Sequence, residues 1–291
     1  MMAALWQPLG LVWSCAVLGL LVGSFLNVVI ARLPRMLTAG WTRDCLDWLA
    51  TETPALLSDE GHRRFTAAPV QAPFNLSQPP SCCPRCNAPI RAWQNVPVLS
   101  WLALRGRCAA CRAPISLRYP FVEVLTALLS AAVAATFGET LQTAGGLLLV
   151  WALVALTFID LDTLFLPDDL TLPLVWLGLL FNLGGAFTPL ADAVVGAMAG
   201  YLLLWTVCTV FRLVTGREGM GAGDFKLLAA LGAWLGWTAL PGIILLSSLA
   251  GALCGLLAIL LAGHDRRAPI PFGPFLAYAG LVSLFRPGPW W

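Results

Sequence analysis

Two sets of residues in this chain have the types and spacing to do chemistry. The first is acidic. In "GMGAGDFKLLAALGAWLG", residues 219–236, Asp224 stands behind three glycines in five residues and ahead of a long apolar run. In "TFIDLDTLFLPDDLTLP", Asp160, Asp162, Asp168 and Asp169 fall within ten residues. The second set is sulfur. Cys83 and Cys86 form one CxxC pair, Cys108 and Cys111 another, and 21 residues separate the pairs.

Capping is the plain account of an aspartate near a helix start, because Asp is a favoured N-cap and glycine a favoured turn residue. It covers Asp168 or Asp169, which follow Pro167, and it is open to Asp224. It does not cover Asp160, which closes an apolar run. There a carboxylate meets the negative end of the helix macrodipole, at a cost of about 0.3–1 kcal/mol. A pair of carboxylates suits an aspartyl protease. One ionised group deprotonates a water while one protonated group polarises the scissile carbonyl, and like charges held close share a proton and so fill both roles. Glycines beside one acid let a substrate backbone approach closely. Acids in membrane segments also serve ion and proton pathways, so a membrane ion or small-solute carrier is the alternative. A noncatalytic assembly factor, with the cysteine segment as a docking module, is a third reading.

These residues must be positioned by membrane helices. The chain has 291 residues, 59% hydrophobic and only 11% charged, with a mean hydropathy of +0.81. Soluble domains carry about 25% charged residues. The first apolar run, Leu9 to Ala31, is longer than the roughly 7–15 residues of a signal-peptide core. Others follow near 120–137, 141–159, 170–187, 190–211, 226–238, 240–262 and 270–285. The expected fold is an all-α polytopic membrane protein of about eight transmembrane helices. Its divisions are a first helix (1–31), a cytoplasmic domain (32–118) and a seven-helix membrane domain (119–291) carrying the acids. With the N-terminus outside, 11 of the 17 basic residues lie between Arg32 and Arg118. Arg212, Arg217, Lys226, Arg266 and Arg267 fall in or beside the other inside loops, leaving only Arg286 outside. That asymmetry is a positive-inside pattern, and the net charge of +2 gives no reason to invoke nucleic acid. Asp160 and Asp224, two spans apart, return to the same cytoplasmic face.

In the 32–118 segment we expect a short amphipathic helix around Trp41 to Leu49 and an irregular Pro-rich stretch, "APVQAPFNLSQPP". Paired CxxC knuckles at this separation suit tetrahedral zinc held by four thiolates. Disulfides or redox-active CxxC motifs compete, but the cytoplasm is reducing and no thioredoxin-like pattern surrounds either pair. Four protein ligands leave no open position, so the metal is structural. Cys82 is a spare beside the first knuckle. Cys15, Cys45, Cys208 and Cys254 sit singly and read as small packing residues. No internal repeat is visible.

Several stretches together resemble one family, the bacterial type IV prepilin peptidases, which also process type II secretion pseudopilins. "GSFLNVVIARLP" (Gly23 to Pro34) is similar to its N-terminal signature, and "CPRCNAPIRAWQNVPVLSWLALRGRC" to its zinc segment. "TFIDLDTLFLPDDLTLP" and "GREGMGAGDFKLLAALGAW" resemble its two aspartate motifs, and "IPFGPFLAYAG" its last span. The resemblance implies a bifunctional enzyme of the bacterial inner membrane acting on prepilins and pseudopilins. It would cleave a basic leader at the cytoplasmic face, then methylate the new N-terminal residue, usually phenylalanine, with S-adenosylmethionine. The GxGD motif maps onto Gly221, Gly223 and Asp224, making Asp224 catalytic. A D-x7-D pattern in related preflagellin peptidases fits Asp160 and Asp168, with the first acid catalytic, and Asp162 is the rival two residues away. The zinc ligands carry over as Cys83, Cys86, Cys108 and Cys111. Methyl transfer is expected near the membrane in the 32–118 domain, with no residue assigned. Glu123 is expected to pair with Arg118 or to help bind the new N-terminal amine.

Overall fold

The computed structural model describes residues 2–52, 74–217, 219–262 and 270–286. Eight long helices dominate it: α1 (Met2–Glu52), α2 (Arg118–Phe137), α3 (Leu141–Thr163), α4 (Asp168–Asn182), α5 (Leu190–Thr215), α6 (Ala222–Leu235), α7 (Leu240–Ala262) and α8 (Gly273–Phe285). Five segments, within α1, α2, α3, α5 and the α7 region, are long and apolar enough to cross a membrane. The other three, α4, α6 and α8, have 15, 14 and 13 residues. At 1.5 Å per residue each is only about 20–22 Å long, short of a hydrocarbon core of about 30 Å.

Breaks between helices fall where the backbone must turn. Gly138 and Gly216 end α2 and α5 with φ of 62° and 68°, a conformation that costs glycine no Cβ clash. Leu164 takes the same left-handed position after α3, with φ 54°, although it carries a side chain. Pro167 follows at the N-cap of α4.

The first helix departs from expectation. No separate helix forms around Trp41 to Leu49; α1 runs without interruption through Pro34 and Gly40 to Glu52. The hydroxyls of Thr38 and Thr42 donate to carbonyls one turn back. Tertiary packing holds the extension, with Leu33 buried and Trp41 meeting Phe165 edge-on at 5.3 Å. Of the Pro-rich stretch, residues 74–80 are irregular, and the remainder lies outside the described residues. Arg32 on α1 ties this strip down, donating to the carbonyls of Asn75 and Pro79 at 2.9 and 2.8 Å.

Helix α6 is almost wholly buried between α4 and α5. Against α5 the backbones touch: a Cβ on Gly196 would lie 2.4 Å from the Gly232 carbonyl oxygen, and one on Gly200 would lie 2.6 Å from that of Leu228. Small residues permit such approach where apolar burial alone cannot drive helices together in lipid. Against α4, Trp234 is fully buried, stacks on Phe181 at 5.4 Å and donates to the Leu174 carbonyl at 2.8 Å. Asn182 donates to the carbonyls of Ala233 and Trp234 and accepts from the N–H groups of Phe187 and Thr188. This network locks one end of α6. Asp224 sits at the other.

Candidate active site

Four of the five acids singled out by sequence part into two kinds. Asp162 pairs with Arg118 at 2.6 Å and its side chain is 39% exposed. Asp168 pairs with Lys226 at 2.6 Å and is 52% exposed. Asp160 and Asp224 are instead buried, at 4% and 8%. Their charges are close enough to interact.

Packing around Leu166 brings them together. Asp160 lies in the last turn of α3, and its Oδ2 accepts the backbone N–H of Gly273 at the start of α8. A Cβ on Gly273 would fall 2.7 Å from that Oδ2 and 3.2 Å from Leu166 Cδ2. Gly223, beside Asp224, meets the same leucine, for its Cβ would lie 2.8 Å from Leu166 Cβ. The loop joining α3 to α4 thus wedges a buried leucine between the segments that carry the two acids.

Capping explains none of the four carboxylates. The N-cap of α6 is Gly221 and that of α4 is Pro167, and no side-chain cap bond forms at either. Asp168 and Asp169 do occupy the first turn of α4, where negative charge is favoured. Asp224 Oδ1 is buried, and no donor among the described residues reaches it. Buried polar atoms are ordinarily satisfied, so this oxygen is available to water or to a substrate carbonyl.

Asp224 is also recessed. Antiparallel contacts pair Gly196 with Gly232 and Gly200 with Leu228, a register that puts Asp224 level with Leu204. Arg212, in the last turn of α5, therefore stands eight residues, about 12 Å, beyond it.

The motif glycines serve different ends. Gly223 is filled against Leu166, whereas Gly221 has nothing within 4 Å of an added Cβ. Only Gly221 leaves open space beside the acid.

In the cysteine segment the sulfurs of Cys83, Cys86, Cys108 and Cys111 all lie within 4.8 Å of one another, as a bound metal ion would require. Cys82 is exposed and outside this cluster. The two knuckles have one architecture, 25 residues apart, a local repeat that side-chain identity hides. Cys83 N–H donates to Ala88 and Cys108 N–H to Ala113. Backbone bridges join Cys82 to Pro89 and Arg107 to Pro114. Asn87 and Arg112 supply the positive φ that turns each chain back, 55° and 62°. The backbone N–H of Arg85, and then that of Cys86, pull the Cys83 thiol down to about 6. The N–H groups of Cys111 and Ala110 lower Cys108 likewise, whereas Cys86, against the pull of the Ala88 N–H, is pushed up to about 11 by its bond to Cys111 and by burial. Thiolates are the form a metal binds. Of the single cysteines, Cys15 is buried and Cys208 half-buried, as packing residues should be, while Cys45 and Cys254 are exposed.

Glu123 does not pair with Arg118. That guanidinium is taken by Asp162 and by the Phe158 carbonyl, while Glu123 Oε2 accepts the N–H of Val98 at 2.8 Å.

Comparison with known proteins supplies the kinship of this architecture. Residues 17–137 match the bacterial peptidase A24 N-terminal domain and residues 147–256 the type IV leader peptidase family. A relative from Aeromonas salmonicida is 58% identical over 265 residues, 91% of this chain and 87% of its own. The chain belongs to the type IV leader peptidase family. Other family members from Stutzerimonas stutzeri and Pseudomonas aeruginosa are 53% and 51% identical, each over 96% of this chain and 91% of theirs. All three relatives are named prepilin leader peptidase/N-methyltransferase. No solved structure matches this family member.

Proposed function

We propose that this chain is a prepilin leader peptidase and N-methyltransferase of the bacterial inner membrane, with Asp160 and Asp224 as its catalytic pair. Prepilins and pseudopilins are its protein substrates. The observation that carries the peptidase assignment is the burial of these two carboxylates around one leucine, with a free oxygen on Asp224. Asp162 and Asp168, each spent on an exposed ion pair, are not the reacting acids. The names of the relatives give no support to a carrier.

The Gly273 N–H and the Leu166 wedge fix Asp160, so its carboxylate need not reorganise when substrate arrives. One acid of the pair takes a proton from water, and the other donates a hydrogen bond to the scissile carbonyl. Water then adds to the carbonyl carbon, and the proton is passed on to the departing amine. Preorganised placement of water and both acids supplies much of the gain for so poor an electrophile. Gly221 gives the substrate backbone room to reach Asp224.

All eight long helices belong to the membrane region, the three short ones packed against longer neighbours. The N-terminus is outside, and the functional division is 1–31, 32–118 and 119–291, with the acids opening to the cytoplasmic side. Cys83, Cys86, Cys108 and Cys111 would hold a structural zinc ion. S-adenosylmethionine is the methyl donor, supplying an electrophilic methyl group to the new N-terminal amine.

The test is to incubate purified protein with a prepilin peptide, with and without S-adenosylmethionine, and to weigh the products. Loss of the leader plus one added methyl is the expected result. An intact peptide would refute the assignment.

A further inference from the structure

The peptidase site makes no use of three features: Glu123, Val98 and the segment Gly23 to Pro34. They meet at one place. A cavity of about 850 Å³ lies between α1, α2 and the cysteine segment, lined among others by Ser24, Asn27, Arg32, Trp101, Tyr119 and Glu123. Its size falls within the range of about 300–1,000 Å³ that small-molecule sites occupy.

Glu123 is buried in its wall. Its carboxylate takes a hydrogen bond from the Val98 N–H, a neutral donor, and Ser24 lines the same wall. Among the described residues no cation pairs with it. Buried charges are ordinarily paired, bound to a metal or neutralised, so an incoming cation is a partner that this carboxylate does not have within the described residues. The backbone is bent to serve it. Val98 holds φ 58° and ψ −49°, a conformation in which a β-branched residue is a true outlier, and strain of this kind gathers at functional sites.

The Gly23 to Pro34 segment builds the same wall. A Cβ on Gly23 would lie 2.7 Å from the Glu123 Cα, so α1 presses directly on the residue. Asn27 holds the Tyr119 carbonyl at 3.1 Å, and Arg32 anchors the irregular strip before the knuckles. Arg118, one turn before Glu123 on α2, is bound to the end of α3 that carries Asp160. The cavity and the acid pair therefore lie at the same end of the bundle.

We propose that this cavity is the methyl-transfer chamber, holding a sulfonium-bearing nucleoside, and that Glu123 receives the new α-ammonium of the cleaved substrate and takes up its proton. The inference rests on the methyltransferase reading above. The residues fit such a donor: the aromatic rings of Trp101 and Tyr119 suit a sulfonium cation and a purine face, and Ser24 and Asn27 add polar contacts. An ammonium has no lone pair, so Glu123 must first accept one of its protons. The amine lone pair then forms the N–C bond to the sulfonium methyl, and the S–C bond breaks with its electron pair kept on sulfur. Glu123 afterwards returns its proton to water.

The test uses the full chain in detergent, with three readouts: leader cleavage, methyl transfer, and ultraviolet cross-linking of radiolabelled S-adenosylmethionine mapped by mass spectrometry. Glu123→Gln is expected to lower methylation at least about a hundredfold, the lower range of general-base catalysis, with cleavage within about twofold. Ala31→Trp, which fills the cavity from α1, is expected to abolish cross-linking and spare cleavage. Label should map to peptides containing Trp101 or Tyr119. Unchanged methylation in Glu123→Gln, or label outside the cavity, would overturn the proposal. If Glu123→Gln loses cleavage too, the wild-type label map and Ala31→Trp decide. Wild-type protein that cleaves but never methylates would sink the methyltransferase reading and this proposal together.

Discussion

The Oδ2 atom of Asp160 accepts the backbone N–H of Gly273 at 2.9 Å, a bond between residues 113 apart in sequence. It explains why the start of α8 bears a glycine. Any side chain there would enter the carboxylate, since an ideal Cβ falls 2.7 Å from the same oxygen. The last helix is thus part of the device that aims the first acid.

Removing either buried acid should stop cleavage while leaving the protein inserted. Asp160→Asn and Asp224→Asn are each expected to lower the cleavage rate at least about a hundredfold. Asp162→Asn loses only a half-exposed ion pair with Arg118, a contact worth about 0–1 kcal/mol, and should stay within about twofold of wild type. Mass spectrometry of a prepilin peptide distinguishes these outcomes. A silent Asp160→Asn beside a dead Asp162→Asn would reverse the assignment.

The motif glycines should separate kinetically. Gly223→Ala forces its Cβ into Leu166 and so displaces the neighbouring Asp224; kcat should fall about ten- to a hundredfold, because misplacement by about 1 Å can cost a factor of that order. Gly221→Ala meets no protein atom, so it should raise KM for a prepilin peptide and leave kcat within about twofold. Gly273→Ala should follow Gly223→Ala. Equal effects at Gly221 and Gly223 would contradict the division of roles drawn from their packing.

Much of this is legible in the sequence, and the remainder is hidden for identifiable reasons. Apolar runs mark the helices, and the macrodipole penalty at Asp160 marks an acid that capping does not explain. CxxC spacing marks the four sulfurs, and their knuckle repeat stays hidden because it lies in backbone hydrogen bonds. The continuous α1 escapes a sequence reading because the apolar run stops at Ala31, whereas packing at Leu33 and Trp41 carries the helix on. Proximity on one helix suggests Glu123, five residues away, as the partner of Arg118. Arg118 meets Asp162 instead, because the ends of α2 and α3 are packed together. Nothing local in sequence announces Gly273 as a partner of Asp160, since that contact is purely tertiary.

The amide of Asn182 should matter to stability and not to chemistry. It satisfies two buried carbonyls of α6 and two half-buried N–H groups beyond α4. Asn182→Ala would strand several of these at about 1–3 kcal/mol for each group left unsatisfied. Thermal unfolding in detergent should show a clear loss of Tm. Protein that survives purification should keep its kcat at low temperature, because Asp224 lies at the opposite end of α6.

The knuckles should bind one equivalent of zinc and lose it on acidification. Elemental analysis of purified protein is the measurement, and Cys108→Ser should lower the content. The pH dependence follows from the thiols. Cys83 lies at about 6 against an ordinary value of 9.0, a depressed acid whose thiolate the folded knuckle favours. That contribution is complete above about 9 and declines as pH falls, vanishing once pH drops through about 6. Metal binding requires the same thiolates, so protons compete with zinc in the same direction. Metal content is therefore expected to hold near neutrality and to fall between about pH 6 and 5, faster in the presence of a chelator. Four oxidised thiols with no metal at about pH 7 would show that the cluster serves as a disulfide site instead.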